Sequence, residues 1–424
     1  MPSRHSPALP ELLRRIQSRL GGLMVFDHDV ERTLDGAWRG RTCVSWGSEP
    51  PLTPTADWQQ TCRQRLRVLP QGGLLAGFLG YEAGRWCERM PSPVAARPLP
   101  DIWLRPTQGQ AWLDHVSGTW TVEGTDHFRA QWAAVQGPAA PPVRSPPAST
   151  APPPLTGPSQ RYISAVRHAL EAIHDGEVYQ VNLSWEASVP PLRDPLGTWL
   201  DLRSANPARR GAFIELDDSH AILSNSPETF LDVGADGSVE SWPIKGTVPL
   251  ASGAEGRRHL EGSEKERAEL TMIVDLVRND LGRVAPWGGV QASARQLREC
   301  GDLLHAEQRV RAHLSPDHDA IDAVAAAFPP GSVTGAPKVR AMSLIHQREP
   351  GPRGVYTGAI GWFAPTGEAS LNVAIRTITN TPQAARFHLG AGIVADSDPL
   401  AEWHETLAKG RRIHQALHRA RHAD

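Results

Sequence analysis

Two hydrophobic periods alternate along the chain. Apolar runs at residues 22–26, 74–80 and 119–122 are short, bounded by turn residues, and read as β-strands. Residues 159–175 switch to helical spacing, with Ile163, Val166, Leu170 and Ile173 on one face. Strand-like runs return at 177–185, 212–215, 221–223 and 229–233. The clearest element is a predicted helix over 264–281. Ser263 can cap it, Glu266 completes a capping box, and Leu270, Ile273, Val274, Val277 and Leu281 form its apolar stripe before Gly282 stops it. Three further strands are predicted at 358–364, 371–379 and 385–389. A last helix then opens with Asp398 as N-cap and Pro399 in the first turn, and Glu402, Glu405 and Lys409 share one of its faces. Strand runs broken by a few long helices indicate an α+β fold rather than a regular parallel βαβ series.

Composition changes this picture in one place. Gly and Pro number 38 each, and much of the proline lies in residues 136–160, a stretch with almost no large apolar side chains. Such a segment cannot build a core and reads as a linker. It divides the chain into a β-rich, tryptophan-containing region at 1–135 and a longer region at 161–420. The 44 basic and 46 acidic residues leave a formal net charge of -2, which argues against a nucleic-acid or anionic-membrane partner. Cys43, Cys62, Cys87 and Cys300 show no C-x-x-C spacing, so neither a zinc site nor a dithiol redox motif is indicated. The first twenty residues lack the apolar centre of a signal peptide, and no run is long enough to span a membrane. A cytoplasmic protein is the expectation.

Five segments carry candidate chemistry. Residues 224–228 place Glu228 directly after a proline. Residues 243–247, Pro-Ile-Lys-Gly-Thr, set Lys245 in a predicted tight turn. Glu269 lies on the polar side of the 264–281 helix. Residues 328–338 and 390–399 are small-residue loops with free backbone donors. Each has a plain alternative. A lone helical Glu is usually solvated. Glu405 and Lys409 at i,i+4 can form an ordinary surface pair worth ~0.3–0.5 kcal/mol. The 331–338 loop is not a P-loop: three residues separate its glycines, and Ala-Pro stands where Lys should follow.

Together, in this order, the segments resemble the chorismate-binding family of anthranilate synthase component I, aminodeoxychorismate synthase component I, and the isochorismate and salicylate synthases. The likeness runs from Tyr162 to Leu417. It takes in Gly176-Glu-Val-Tyr-Gln-Val-Asn-Leu-Ser184, Ser226-Pro-Glu228, Pro-Ile-Lys-Gly-Thr, the helix from Glu266 to Arg283, Gly-Ser-Val-Thr-Gly-Ala-Pro-Lys338, Arg353-Gly-Val-Tyr-Thr-Gly358, Ala374-Ile-Arg-Thr377 and the segment from Gly390 to Glu405. Gly80-Tyr-Glu82 and Leu99-Pro-Asp-Ile-Trp103 extend it weakly into the first third. The resemblance implies two large, mainly antiparallel sheets forming a sandwich flanked by helices, with residues 136–160 as a tether within one body.

It also implies a site. Chorismate carries two carboxylates and a leaving hydroxyl at C4. Mg2+ on the ring carboxylate would be held by Glu269 and Glu405, with Glu402 acting through water; hard carboxylate oxygens suit that ion. Arg376, Tyr356 and the backbone N–H groups of Gly390 and Gly392 would clamp the second carboxylate. Ser332, Thr247 and Lys409 are further contacts, and Glu228 matches the general acid. His305 stands where the family has His-Leu-x-Ser, although Ala306 and Gln308 replace the Leu and Ser. A purely structural histidine is the alternative there.

Two positions discriminate within the family. Lys245 stands where aminodeoxychorismate synthases have a lysine and anthranilate synthases an alanine; a neutral amine there can attack C2 as hydroxide leaves C4. Gln180 stands where the water-using enzymes have a lysine base. Both point to a transferase that aminates C4 with ammonia, giving 4-amino-4-deoxychorismate for p-aminobenzoate and folate. No cysteine has the Gly-x-Cys-x-Gly context of a glutaminase, so a separate glutamine amidotransferase subunit is the expected ammonia source. Anthranilate synthase component I and a non-catalytic chorismate-binding protein remain the alternatives.

Overall fold

The computed structural model describes residues 8–32, 37–90, 98–137, 159–300 and 303–419. Two antiparallel sheets form its centre. The ten-stranded sheet runs, edge to edge, through Gly335–Ala336, Gln180–Val189, Ala385–Ile393, Thr377–Asn380, Ala221–Ser226, Arg210–Glu215, Leu23–Arg32, Trp38–Trp46, Gly109–Asp114 and Thr119–Gly124. The eight-stranded sheet runs through Gln291–Ala292, Val310–His313, Ser238–Trp242, Thr229–Val233, Ala369–Val373, Ala359–Phe363, Leu75–Leu79 and Ile102–Pro106. Both sheets therefore take strands from either side of residues 136–160. Most of that proline-rich segment, 138–158, lies outside the described residues.

Strand periodicity explains the layering. Along Leu23–Arg32, Met24 and Phe26 face Phe78, Trp103, Ile360 and Trp362 of the other sheet, while Leu23 and Val25 face the helices. The same alternation separates Ile222 and Ile214, which point between the sheets, from Leu223 and Phe213, which point outward. Helices Leu9–Leu20, Ser159–His174, Pro195–Ala205 and Pro399–Arg419 cover the ten-stranded sheet. Helices Trp58–Leu66, Glu264–Gly282 and Ala320–Ala327 cover the eight-stranded one. The result is the expected α+β sandwich with helices on its outer faces. No described helix is long and apolar enough to cross a membrane.

Four local expectations are corrected. Residues 390–393 are not loop but the end of the strand Ala385–Ile393, paired with Gln180–Val189. Residues 371–379 are not one strand but two, Ala369–Val373 and Thr377–Asn380, in different sheets. The chain changes sheets at Ala374-Ile375-Arg376, and Arg376 takes the left-handed φ of 51° that the change of direction requires. Residues 243–247 form no turn. Ile244–Pro249 is a strand of a separate three-stranded sheet, with a register shift between Lys245 and Thr247. Gly246, at φ 71°, supplies that bulge. The cap of the Glu264–Gly282 helix is realised in one half: Ser263 Oγ accepts from the Glu266 N–H at 3.3 Å. The Glu266 carboxylate lies against Gly246 instead, where a Cβ would stand 2.9 Å from Oε2.

Candidate active site

Two sheet-to-sheet crossings lie side by side and bring Glu228 and Arg376 together. Ser226-Pro227-Glu228 carries the chain from the ten-stranded to the eight-stranded sheet, and Ala374–Arg376 carries it back. The crossings are tied to each other. Val373 N–H donates to Glu228 O at 3.1 Å, Asn225 N–H donates to Arg376 O at 3.1 Å, and Ser226 Oγ donates to Val373 O at 2.6 Å. Side chains at a crossing belong to neither sheet face, so they are free to serve a cleft at its end.

The Glu228 side chain is buried, and its carboxyl is pushed up to about 7. Burial is the main cause. Hydrogen bonds from the Ser332 hydroxyl and the Ile244 N–H, and the charges of Lys245 and Arg376, hold it partly back. A carboxyl in this range carries a proton for much of its time near neutrality, as a general acid requires.

Lys245 is pushed the opposite way. Burial lowers its ammonium from the ordinary value and Lys409 adds repulsion, while Glu269 and Glu228 oppose. Its Nζ lies beside Gly392 and Gln180: a Cβ on Gly392 would stand 3.4 Å from that Nζ and 2.6 Å from Gln180 Nε2. Gln180 is fully buried, and neither of its amide atoms meets a hydrogen-bond partner among the described residues. Gly392→Ala should therefore push its methyl into both side chains. We expect turnover to fall by about tenfold or more with little change in melting temperature. Steady-state kinetics beside a thermal melt checks this, and unchanged turnover would remove Gly392 from the cleft wall.

Gly390 plays the same part next along the strand. A Cβ there would stand 2.7 Å from the Tyr356 hydroxyl, and its carbonyl accepts from Lys409 Nζ at 3.2 Å. Tyr356 is buried and stacked on His388, with centroids 5.0 Å apart. Burial raises its phenol above the ordinary value, so it stays a neutral donor. Thr247 Oγ1 and His305 Nδ1 are 2.8 Å apart, paired across adjacent strands. Ala306, one of the two departures from the family segment, sits directly opposite Lys245. His305 is thus tied to the strand that carries Lys245 through Thr247.

Helices Glu264–Gly282 and Pro399–Arg419 supply a group of carboxylates. Burial raises Glu269, with Glu266 and Glu405 adding to the effect and Lys245 opposing it. Burial also raises Glu402, which Glu405 reinforces, while its Oε1 accepts from Ser397 Oγ at 2.6 Å. Glu405 shifts down: burial works to raise it, but the Lys409 ammonium at 2.7 Å prevails. The i,i+4 pair anticipated at the surface is thus present, half-exposed and pointed at the cleft through Gly390. Among the described residues, no three acidic, His or Cys side chains gather as a finished metal cage. The donor chemistry nonetheless fits Mg2+, which commonly takes one or two protein carboxylates and completes its shell with water and substrate oxygens.

Glu228, Ser332, Arg376, Lys245, Gln180, Gly392, Glu269 and Lys409 are therefore neighbours, and Gly390, Tyr356, Glu405 and Glu402 adjoin them. Thr247 and His305 pair with each other farther along the Lys245 strand, where Thr247 is exposed. Sequence reasoning gave no role to Arg353, Glu82 or Asn182, although their segments resembled the family. Arg353 is buried and donates to Glu349, Val333 O, Thr357 Oγ1 and Asn182 O.

A family model described as chorismate binding enzyme matches residues 34–415. An aminodeoxychorismate synthase of Streptomyces pristinaespiralis is 39% identical over 384 residues, which cover 84% of this chain and 53% of that protein. The chain thus spans about half the length of that relative. An anthranilate synthase component 1 of Haloarcula marismortui is 35% identical over 404 residues, covering 88% of this chain and 81% of that one. The crystal structure of anthranilate synthase component I from Streptococcus pneumoniae TIGR4 superposes with a TM-score of 0.74 at 26% identity, covering 98% of this chain and 95% of that one.

Proposed function

Since the chain belongs to the chorismate-binding enzyme family, we propose that it is an aminodeoxychorismate synthase component I, converting chorismate and ammonia to 4-amino-4-deoxychorismate. The observation that carries this reading is Lys245. Its amine is desolvated, lowered toward the neutral form, and set beside an acid that holds its proton near neutrality. A nucleophilic amine and a proton donor with opposite shifts are the pair that amine-for-hydroxyl exchange needs.

The steps balance without a further reactant. Neutral Lys245 Nζ attacks C2 of the ring, both ring double bonds shift, and the C4 hydroxyl leaves with the Glu228 proton as water. Ammonia then attacks C4, both double bonds shift back, and the C2–N bond breaks. Lys245 leaves as the neutral amine, and the one proton released by the incoming nitrogen returns to Glu228. Arg376, Tyr356 and the Gly390 and Gly392 backbone clamp one substrate carboxylate; Ser332 and Thr247 orient Glu228 and His305. The Gln180 amide lies beside the attacking amine. It cannot serve as a base, which disfavours water as the nucleophile.

Glu269 and Glu405 are proposed to hold Mg2+, with Glu402 acting through water. When bound, that ion would neutralise the ring carboxylate and withdraw electron density from the diene. Glu405→Gln is expected to raise the Mg2+ concentration for half-maximal turnover by about tenfold or more. A metal titration checks this, and an unchanged midpoint would contradict the assignment. Ammonia is proposed to come from a separate glutamine amidotransferase subunit, and the setting to be cytoplasmic folate synthesis.

The test is product identity. With chorismate, Mg2+ and an ammonium salt at mildly alkaline pH, the reading expects an amine that keeps the enolpyruvyl group and releases no pyruvate. Anthranilate plus pyruvate would establish the second reading, anthranilate synthase component I, which the Haloarcula relative supports. Chorismate binding without turnover would leave a binding protein.

A further inference from the structure

We propose that Glu82, in the N-terminal third, is a positioning residue for the substrate carboxylate, acting through Tyr356. Its carboxylate is buried and grips two consecutive backbone donors: Oε1 accepts from Arg353 N–H at 2.7 Å and Oε2 from Gly354 N–H at 3.0 Å. The neighbouring backbone completes the clamp, because Tyr81 N–H donates to Gly354 O at 2.7 Å. The approach is close enough that a Cβ on Gly80 would stand 2.9 Å from that oxygen. Gly354 takes a left-handed φ of 63°, which lets both N–H groups of the turn face one carboxylate.

The turn held this way controls three walls of the cleft. Arg353 donates to Val333 O at 3.0 Å, beside Ser332, and to Asn182 O at 2.6 Å, two residues from Gln180. It also reaches Thr357 Oγ1 at 3.2 Å, next to Tyr356. Its guanidinium lies 4.8 Å from the Tyr81 ring centroid and 5.7 Å from that of Tyr356. Glu349 neutralises it, with bonds of 2.9 and 2.6 Å. Tyr356 is thus fixed by His388 stacked on its ring and by a turn whose position Glu82 sets. Thr357 is itself held at a φ of 61°, so the turn must be constrained from outside. The first third of the chain accordingly contributes to the site, although no residue of it is proposed to touch substrate.

This inference rests on the proposed contact between Tyr356 and the substrate carboxylate, and a double-mutant cycle on chorismate affinity tests it apart from the amination chemistry. Calorimetric titration of the full chain with chorismate and Mg2+ is compared for wild type, Glu82→Ala, Tyr356→Phe and the double variant. Each single change is expected to weaken binding by about tenfold, and Tyr356→Phe should cost almost nothing further once Glu82 is gone. Glu82→Gln, which keeps one accepting oxygen, should recover part of the affinity; it also replaces Glu82→Ala in the cycle should that variant not fold. Equal costs of Tyr356→Phe in both backgrounds, or wild-type affinity in a folded Glu82→Ala chain, would overturn the proposal while leaving the function untouched. A wild-type chain that failed to bind chorismate would overturn both, whereas binding with an unexpected product would bear only on the amination reading.

Discussion

Lys245→Ala is expected to lose C4 amination by about three orders of magnitude or more while still binding chorismate. The size of the effect follows from the role. A nucleophile that forms a bond to the ring has no substitute in the cleft, because Gln180 beside it has no basic nitrogen. Charge alone is a competing explanation, since Lys245 pulls down both Glu228 and Glu269. Lys245→Arg separates the two. Arginine keeps the positive charge but stays protonated and cannot attack carbon. Equal inactivity of the alanine and arginine variants, with chorismate affinity within about tenfold of wild type, supports the covalent step. Substantial turnover by the arginine variant would reduce the lysine to an electrostatic part. Parallel ammonium-dependent rate and calorimetric measurements decide between them.

Glu228→Gln is the second large effect, an expected loss of about 10²–10⁴-fold in kcat. Its pH dependence carries more information than its size. The wild-type acid must be protonated, so turnover should decline as pH rises through about 7. The amine must be neutral, so turnover should also decline toward acid as Lys245 protonates, and the full profile is bell-shaped. Glu228→Gln should lack the alkaline limb attributed to the acid. Stability should fall with rising pH as well. The folded carboxyl titrates above its ordinary range, so the native state binds more protons than the unfolded chain between that range and about 7. The protein therefore loses stability as pH rises across that window, and above it the wild type carries the cost of a buried carboxylate. The glutamine variant should be less active yet melt higher at alkaline pH. A lower melting temperature there would mean that the carboxylate is better paired than its surroundings indicate.

How far the sequence reveals this site varies with the kind of interaction. The Glu264–Gly282 helix was legible because its Ser263 cap and apolar stripe are local, although Gly282 is its last residue and Arg283 its C-cap, and Asp398 likewise accepts from Leu400 N–H and Ala401 N–H as anticipated. The strand at 371–379 was over-extended because its apolar pattern continues through Ile375, while the event that breaks it, a change of sheet, depends on partners elsewhere. Lys245 read as a turn residue because Gly246 follows it; the glycine serves a bulge in a paired strand instead. Most site residues were recognised only through family resemblance. Their meeting depends on sheet crossings that no spacing rule encodes. Glu82 and Arg353 were legible as matching segments but not as partners, since 271 positions separate them and their bond runs from a side chain to a backbone donor. The depressed amine of Lys245 and the raised acid of Glu228 are likewise products of burial, a property of the assembled cleft.

The covalent account is tested most directly by intact-protein mass spectrometry of the chain mixed with chorismate and Mg2+ and quenched before ammonia is added. The account predicts a species heavier by one chorismate less one water, mapped by digestion to the peptide carrying Lys245, absent from Lys245→Ala, and discharged by ammonium as the amine is released. C4 amination proceeding at full rate with no such adduct, or with the adduct on another residue, would contradict it.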